Sequence, residues 1–271
     1  MKFLTTSALA LMMATGAMAA DSCATGKTLT DGTLTIATGN PAFFPWVLDD
    51  APEAGKGYEA AVAYAIAAKM GFETDAVAWT RTSFDQSIQP GAKDFDFNLQ
   101  QFSITEEREE MVDFSDPYYT SAMAVLTTKS VVENGAEPTI ASLKDLVWVA
   151  HATTTALPML NELIQPNTAP LLYGDNVDVT AAMQAGQIDA ALFDLPTALY
   201  LSAVVLNDGV ILGQFPAENT PSPDHFGLLM AEGSALKPCV DEAIAALKAD
   251  GTLNAIEAEW LHETTGVPVI K

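Results

Sequence analysis

The sequence predicts an α/β protein of two lobes, each an open, mostly parallel sheet flanked by helices. Short β-branched or apolar runs alternate with helical patterns along the chain, and after one round a second begins near Ser142. Size agrees with this. With 271 residues, 49% of them hydrophobic, the chain can bury one large core or two moderate ones.

The first round opens with "TLTIAT", Thr33 to Thr38, a β-branched strand, followed by "GYEAAVAYAIAAKMGF", an alanine-rich helix ended by Gly71. "TDAVAW" reads as the next strand, "SFDQSIQPGA" as a short helix stopped by Pro90 and Gly91, and "DFDFNL" as a strand. A helix starts near Ser103, where "SITE" fits a capping box with Ser103 at the cap and Glu106 reaching back; "AMAVLTT" is strand again.

The second round opens at "SLKDL", with Ser142 and Asp145 as a cap-like pair. "VWVAH" is a strand, "TALPMLNELI" a helix and "APLLYG" a strand. "NVDVTAAMQAG" is a helix closed by Gly186, and "QIDAALFD" is a strand ending on Asp194. "HFGLLMA" and "ALKPCVDEAIAALKADGTLNAIEAEWL" add a strand and two helices with a break at Gly251.

Ahead of this lies "MKFLTTSALALMMATGAMAA", with one lysine, an apolar stretch and the small-residue pattern Ala17-Met18-Ala19. Residues 1–19 read as a secretory signal peptide cleaved after Ala19, so the mature protein is expected to be exported and soluble. No later run approaches the roughly 20 apolar residues of a membrane span. A net charge of -23, from 12 Lys plus Arg against 35 Asp plus Glu, argues against nucleic acid or anionic lipid as a partner.

In an exported chain the two cysteines, Cys23 and Cys239, can form a single disulfide or remain as two thiols; a bridge would tie the N-terminus to the C-terminal segment. His151, His225 and His262 are scattered, with no zinc-like spacing to the cysteines, so neither a metal nor a cofactor is expected.

Open α/β sheets bind ligands beyond the carboxyl ends of their strands, which directs attention to the strand-to-helix joints. The first joint, "GNPAFFPW", offers Asn40 and the aromatics Phe43, Phe44 and Trp46 on a proline-punctuated loop suited to pack on a ligand. The next is "QQFSITEEREE". Arg108 is one of two arginines in the chain, and its rigid fork recognises a carboxylate through paired hydrogen bonds that lysine cannot copy. A surface pair with the flanking glutamates would be worth under about 1 kcal/mol. The joint "ATTTALP" places three threonines at a helix start, where free N–H groups and the dipole attract anions. Asp194, at a strand's carboxyl end, suits an ammonium group. A fork and a helix start for a carboxylate, an acid for an amine and aromatic walls together describe a site for an α-amino acid.

"GYEAAVAYAIAAKMG", "FSITEEREEMVDFSDPYY", "QIDAALFDLPTALY" and "LKADGTLNAIEAEWL" resemble the polar amino-acid-binding family of bacterial periplasmic solute-binding proteins, from about Leu34 to Leu261. The resemblance implies a periplasmic, monomeric substrate-binding component of an ABC importer with a two-lobed, hinged periplasmic-binding-protein fold. Lobe 1 would comprise 20–121 and 225–271, and lobe 2 122–224, with hinge strands near Tyr119–Met123 and Pro223–Phe226. By position, Arg108 with Thr153 and Thr154 would hold the ligand carboxylate. Ser103 and Asp194 would take the ammonium, with Gln101 beside them, and Phe43 and Phe84 would sandwich the side chain. The ligand itself would close the cleft before delivery to a membrane permease.

Departures from the family pattern shape the expected ligand. Family members for cationic amino acids carry an aspartate where this chain has Asn40, which argues against lysine, arginine or histidine as ligand. Gln100 and Gln101 replace small serines, and Ala152 stands where glycine is usual. Arg81 and His151 are candidates for facing the side chain. A neutral polar or amide ligand is favoured, and an acidic one is the next choice. Two other readings are kept: a periplasmic enzyme such as a dehydratase on the same fold, which would need a general acid or base beyond the binding residues, and a sensor or chemoreceptor component.

Overall fold

A computed structural model describes residues 23–220, 223–261 and 266–271. The expected signal peptide, its cleavage site and His262 lie outside the described residues. The first sheet is built from β1 (Leu34–Thr38), β2 (Val77–Arg81), β3 (Phe97–Asn98) and β4 (Val112–Phe114). Between them lie the helices α1 (Tyr58–Lys69), α2 (Phe84–Ser87) and α3 (Glu106–Glu109). α1 buries Tyr58, Ala60, Val62, Ala63, Ile66 and Ala67, most of them in one core with Leu34, Ile36 and Phe97 of the sheet.

β5 (Tyr119–Ser121) leads directly into β6 (Met123–Thr128) and the second lobe. There follow α4 (Lys129–Glu133), α5 (Ile140–Leu143), β7 (Trp148–His151), α6 (Ala156–Met159), β8 (Leu171–Tyr173), α7 (Asn176–Gln184), β9 (Ala190–Asp194), α8 (Leu195–Tyr200) and β10 (Gly209–Phe215). β11 (Asp224–Phe226) returns the chain to β12 (Leu229–Ala231), α9 (Lys237–Ala249) and α10 (Thr252–Trp260) in the first lobe.

The sheet orders are β2-β1-β3-β12-β4 and β10-β6-β9-β7-β8. Each contains two parallel and two antiparallel pairings, so the sheets are mixed rather than mostly parallel. The cause is local: β12 in the first sheet and β6 in the second run against their neighbours, and each is the strand that has just crossed from the other lobe. The crossover strands β5 and β11 pair antiparallel, with Ser121 opposite Asp224 and Tyr119 opposite Phe226. Tyr58, Tyr119 and Phe226 pack around the buried indole of Trp46 at this junction, with ring centroids 5.7–5.8 Å from it.

The structure corrects two caps. Thr105 caps α3 by accepting from Arg108 N, because Ser103 is bridged antiparallel to Phe226 and cannot serve. Thr139 caps α5, while the Ser142 hydroxyl accepts from Glu137 N. The assignment of 225–271 wholly to lobe 1 also needs amending. Residues 266–271 lie on the second lobe, where Gln214 N donates to Pro268 O at 2.8 Å and Ile270 N to Gln214 O at 3.0 Å. Ile270 enters that lobe's core beside Gly213, where a Cβ would come within 2.7 Å of its Cγ1. Cys23 and Cys239 are bridged, with Cα atoms 5.6 Å apart, fixing the first described residue to α9.

Candidate ligand-binding site

Between the lobes lies a cavity of about 320 Å³, the size of a small-molecule pocket. The expected residues Asn40, Phe43, Phe84, Gln101 and Ser103 line it from the first lobe, as does Arg108; His151, Thr154 and Asp194 line it from the second. The cavity continues past Val149, Val179 and Ala191 toward Leu201 and Val205 beneath the second sheet.

Arg108 is buried at 6% exposure, whereas Glu106, Glu107, Glu109 and Glu110 are all exposed. A short helix with one inward position explains this: α3 turns the arginine into the cleft and its neighbours into water. The guanidinium donates to Ser103 O at 2.8 Å and across the cleft to Thr153 O at 3.0 Å, and lies 5.3 Å from the Phe84 ring centroid. Burial pulls its pKa down, opposed by the nearby Asp224 and Glu107 carboxylates.

Asp194 ends β9 and caps α8, accepting from Thr197 N at 2.8 Å. It keeps some exposed surface yet sits deep between the lobes. Burial pushes its carboxyl up to about 6, against the lowering effect of the Thr197 hydrogen bonds. The Thr197 hydroxyl in turn accepts from Trp46 Nε1 at 2.8 Å, linking the first lobe's aromatic loop to the acid of the second.

Gln101 stands at φ 51°, a left-handed backbone rare outside glycine. Buried Glu59 holds it there, accepting from Gln101 N at 2.8 Å and from its side-chain amide. Tyr118 also donates to Glu59. Burial pushes the Glu59 carboxyl up to about 7, with these donors pulling it back. The Gln101 amide is therefore engaged within the protein, while Gln100 lines the cavity beside Asn40.

Three expected residues stand differently from their reading. Thr153 is not among the lining residues: its carbonyl accepts from Arg108 and its hydroxyl donates to Asp85. Thr155 takes its place, 3.2 Å from Ser103 Oγ. α6 is four residues long, and Thr154 Oγ1 is engaged at its start, donating to His151 O at 2.9 Å and accepting from Ala156 N at 3.4 Å. Arg81 faces the loop, not the ligand space: it donates to Gly39 O at 2.8 Å and pairs with Asp50, which also accepts from Ala42 N. That clamp fixes the Asn40–Phe43 stretch. His151 does reach the cleft, buried 3.4 Å from Asp85 across it.

Asp224 is a further member of the site, which the strand-end and motif signals above do not mark. It is buried on β11, lines the cavity, accepts from Ser103 and faces Arg108. The signal existed: in a strand, alternate residues share a face, and Asp224 is two before the inward Phe226. Among the described residues no cluster of His, Cys, Asp or Glu could hold a metal, and no helix is long and apolar enough to cross a membrane.

Residues 34–263 match the family described as bacterial extracellular solute-binding proteins, family 3. The L-cystine-binding protein TcyJ of Escherichia coli K12 is 28% identical over 213 residues, covering 75% of this chain and 73% of that protein. An ancestral arginine-binding protein bound to glutamine superposes with a TM-score of 0.69 at 26% identity, over 86% of this chain and 100% of that one. The ancestral amino acid-binding protein AncCDT-1, a precursor of cyclohexadienyl dehydratase, shares the fold with a TM-score of 0.65 at 24% identity, over 84% of this chain and 95% of that one. With a buried arginine and a strand-end aspartate facing each other across an interlobe cavity, and with this match over most of its length, the chain belongs to family 3 of the bacterial extracellular solute-binding proteins.

Proposed function

We propose that the protein captures an L-α-amino acid in the periplasm and delivers it to the permease of an ABC importer. The observation that carries this is the opposition of Arg108, a buried cation on one wall, and Asp194, an acid on the other, across one cavity. Those charges suit a carboxylate and an ammonium group on one small molecule. Contacts between the lobes at Arg108–Thr153, Ser103–Thr155 and Trp46–Thr197 support closure around the ligand, and relatives named for binding cystine, arginine, histidine and glutamine agree with an amino-acid ligand.

Asn40 and Gln100 support a neutral polar or amide side chain. The engagement of Gln101 with Glu59 removes one of the amides on which that reading rests, and the apolar lining near Val179 and Ala191 bounds the far end of the space. An acidic side chain is the next choice.

Thermal unfolding of refolded, ligand-stripped protein against the common L-amino acids tests the reading. Ligand at about 100 times its Kd adds roughly 2.7 kcal/mol, a shift of several degrees. A shift with one or a few amino acids supports the function, and no shift in folded protein overturns it. The likeness to AncCDT-1 makes turnover the matching control: a product that disappears with a point substitution in the cleft would replace binding by catalysis.

A further inference from the structure

Buried carboxylates need a counter-charge or hydrogen bonds, and a pair lining one cavity repels unless a cation lies between them. Three such acids line the cavity; Glu59 is already engaged by Gln101 and Tyr118, which leaves Asp194 and Asp224. Asp194 comes from the end of β9, and Asp224 from the crossover strand β11, close enough to Asp194 to be felt by it electrostatically. Asp224 is 7% exposed; its strand sends Asp224 and Phe226 inward and His225 outward, where Thr120 meets the imidazole at 2.8 Å.

The backbone brings Asp224 to Ser103. Ser103 is bridged to Phe226, Ile104 N donates to His225 O at 2.8 Å, and the Ser103 hydroxyl donates to the Asp224 carboxylate. A serine hydroxyl has one proton and two lone pairs. With its proton directed to Asp224, Ser103 accepts from Thr155, 3.2 Å away, and presents its remaining lone pair to the cavity. An ammonium group has hydrogens to donate and accepts nothing, so a serine fixed as an acceptor suits it.

We infer that Asp224 is a specificity-determining residue of the amino-acid site, orienting the Ser103 hydroxyl as an acceptor and, with Asp194, supplying the negative charge that selects a ligand amino group. The inference deepens the proposed function and rests on it. Asp224 acts through Ser103 and through its charge, so it is a positioning residue. Arg108, also beside Asp224, is held in place by the carbonyls of Ser103 and Thr153.

Asn in place of Asp224 keeps the shape but lets an amide N–H donate to Ser103, which turns the serine proton toward the ligand. Titration calorimetry of the mature protein with each of the twenty common L-α-amino acids, and with the 2-hydroxy acid matching the tightest of them, is the test. The readout is the ratio of amino-acid to hydroxy-acid affinity. In Asp224→Asn this ratio is expected to fall at least tenfold, with the hydroxy acid bound no worse than by the wild type. An equal loss for both ligands would reduce Asp224 to a support of the fold or of Arg108, and an unchanged ratio would remove it from the site; either overturns the inference. Wild-type protein that takes none of the twenty overturns the proposed function and this inference with it. Should the Asn variant fail to fold, Asp224→Glu displaces the carboxylate by one methylene, and the same ratio must fall.

Discussion

Trp46 and Thr197 meet across the cleft, the indole Nε1 donating to the threonine hydroxyl at 2.8 Å while that hydroxyl serves the Asp194 carboxylate. The aromatic loop of one lobe therefore touches the acid of the other through a single O–H group. Contact between the lobes and placement of the acid share that one group.

Thr197→Val removes the hydroxyl and keeps the volume. It leaves a buried N–H unpaired only when the lobes are together and takes one hydrogen bond from Asp194. A loss of about 1–3 kcal/mol in binding is expected. Calorimetry should show amino-acid affinity falling by that amount while the ligand-free melting temperature moves little; unchanged affinity would disprove the link.

Arg108→Lys should weaken every α-amino acid alike. Lysine retains charge but cannot bond Ser103 O, Thr153 O and a ligand carboxylate in one plane, and charge-assisted hydrogen bonds are worth about 1.5–3 kcal/mol each. Affinities near wild type across a panel of amino acids would refute the assignment. Asn40→Asp, by contrast, should change which ligand binds best.

The Asp194 carboxyl titrates near 6 when folded, above the ordinary aspartate value of 3.8. A raised folded pKa means the folded state holds the proton more tightly. Its contribution to stability is thus full below about 4 and lost as pH rises through about 6. Melting curves of ligand-free wild type and Asp194→Asn between pH 4 and 8 should show the wild type losing ground to the variant across that window. A constant difference would exclude this role. Amino-acid binding follows the opposite sense, tightening as pH rises through about 6, because an ammonium needs the ionised acid.

The Cys23–Cys239 bridge closes a separation of 216 residues in sequence. Loop-closure entropy alone gives about 5 kcal/mol for so long a loop. Reduction should therefore lower the melting temperature by roughly 10–20 °C if that whole sum is realised. Differential scanning calorimetry with and without reductant checks it; equal transitions would mean that packing around α9 already holds the N-terminus.

The chemistry of the site was legible where one residue type has few uses. An arginine among exposed glutamates, in a chain with one other arginine, had to be explained by something other than surface pairing, and α3 does bury it. The strand end at Asp194 was readable from periodicity and the following proline. The roles of Thr153, Arg81 and Asp224 were not, because each depends on a partner at least 31 residues away: Asp85 for Thr153, Asp50 for Arg81 and Ser103 for Asp224.

Local pattern by itself determined the α/β alternation, the two-lobe count, the joints that face the cleft and the pair of cysteines, since each depends on side-chain period, turn chemistry or composition. Tertiary structure alone decided which strand in each sheet runs backwards, which hydroxyl caps which helix, that the last six described residues pack on the second lobe, and that Asp224 joins the ligand wall. Those outcomes turn on which distant groups compete for one hydrogen bond or one apolar site, and that competition is settled only when the chain brings them within reach.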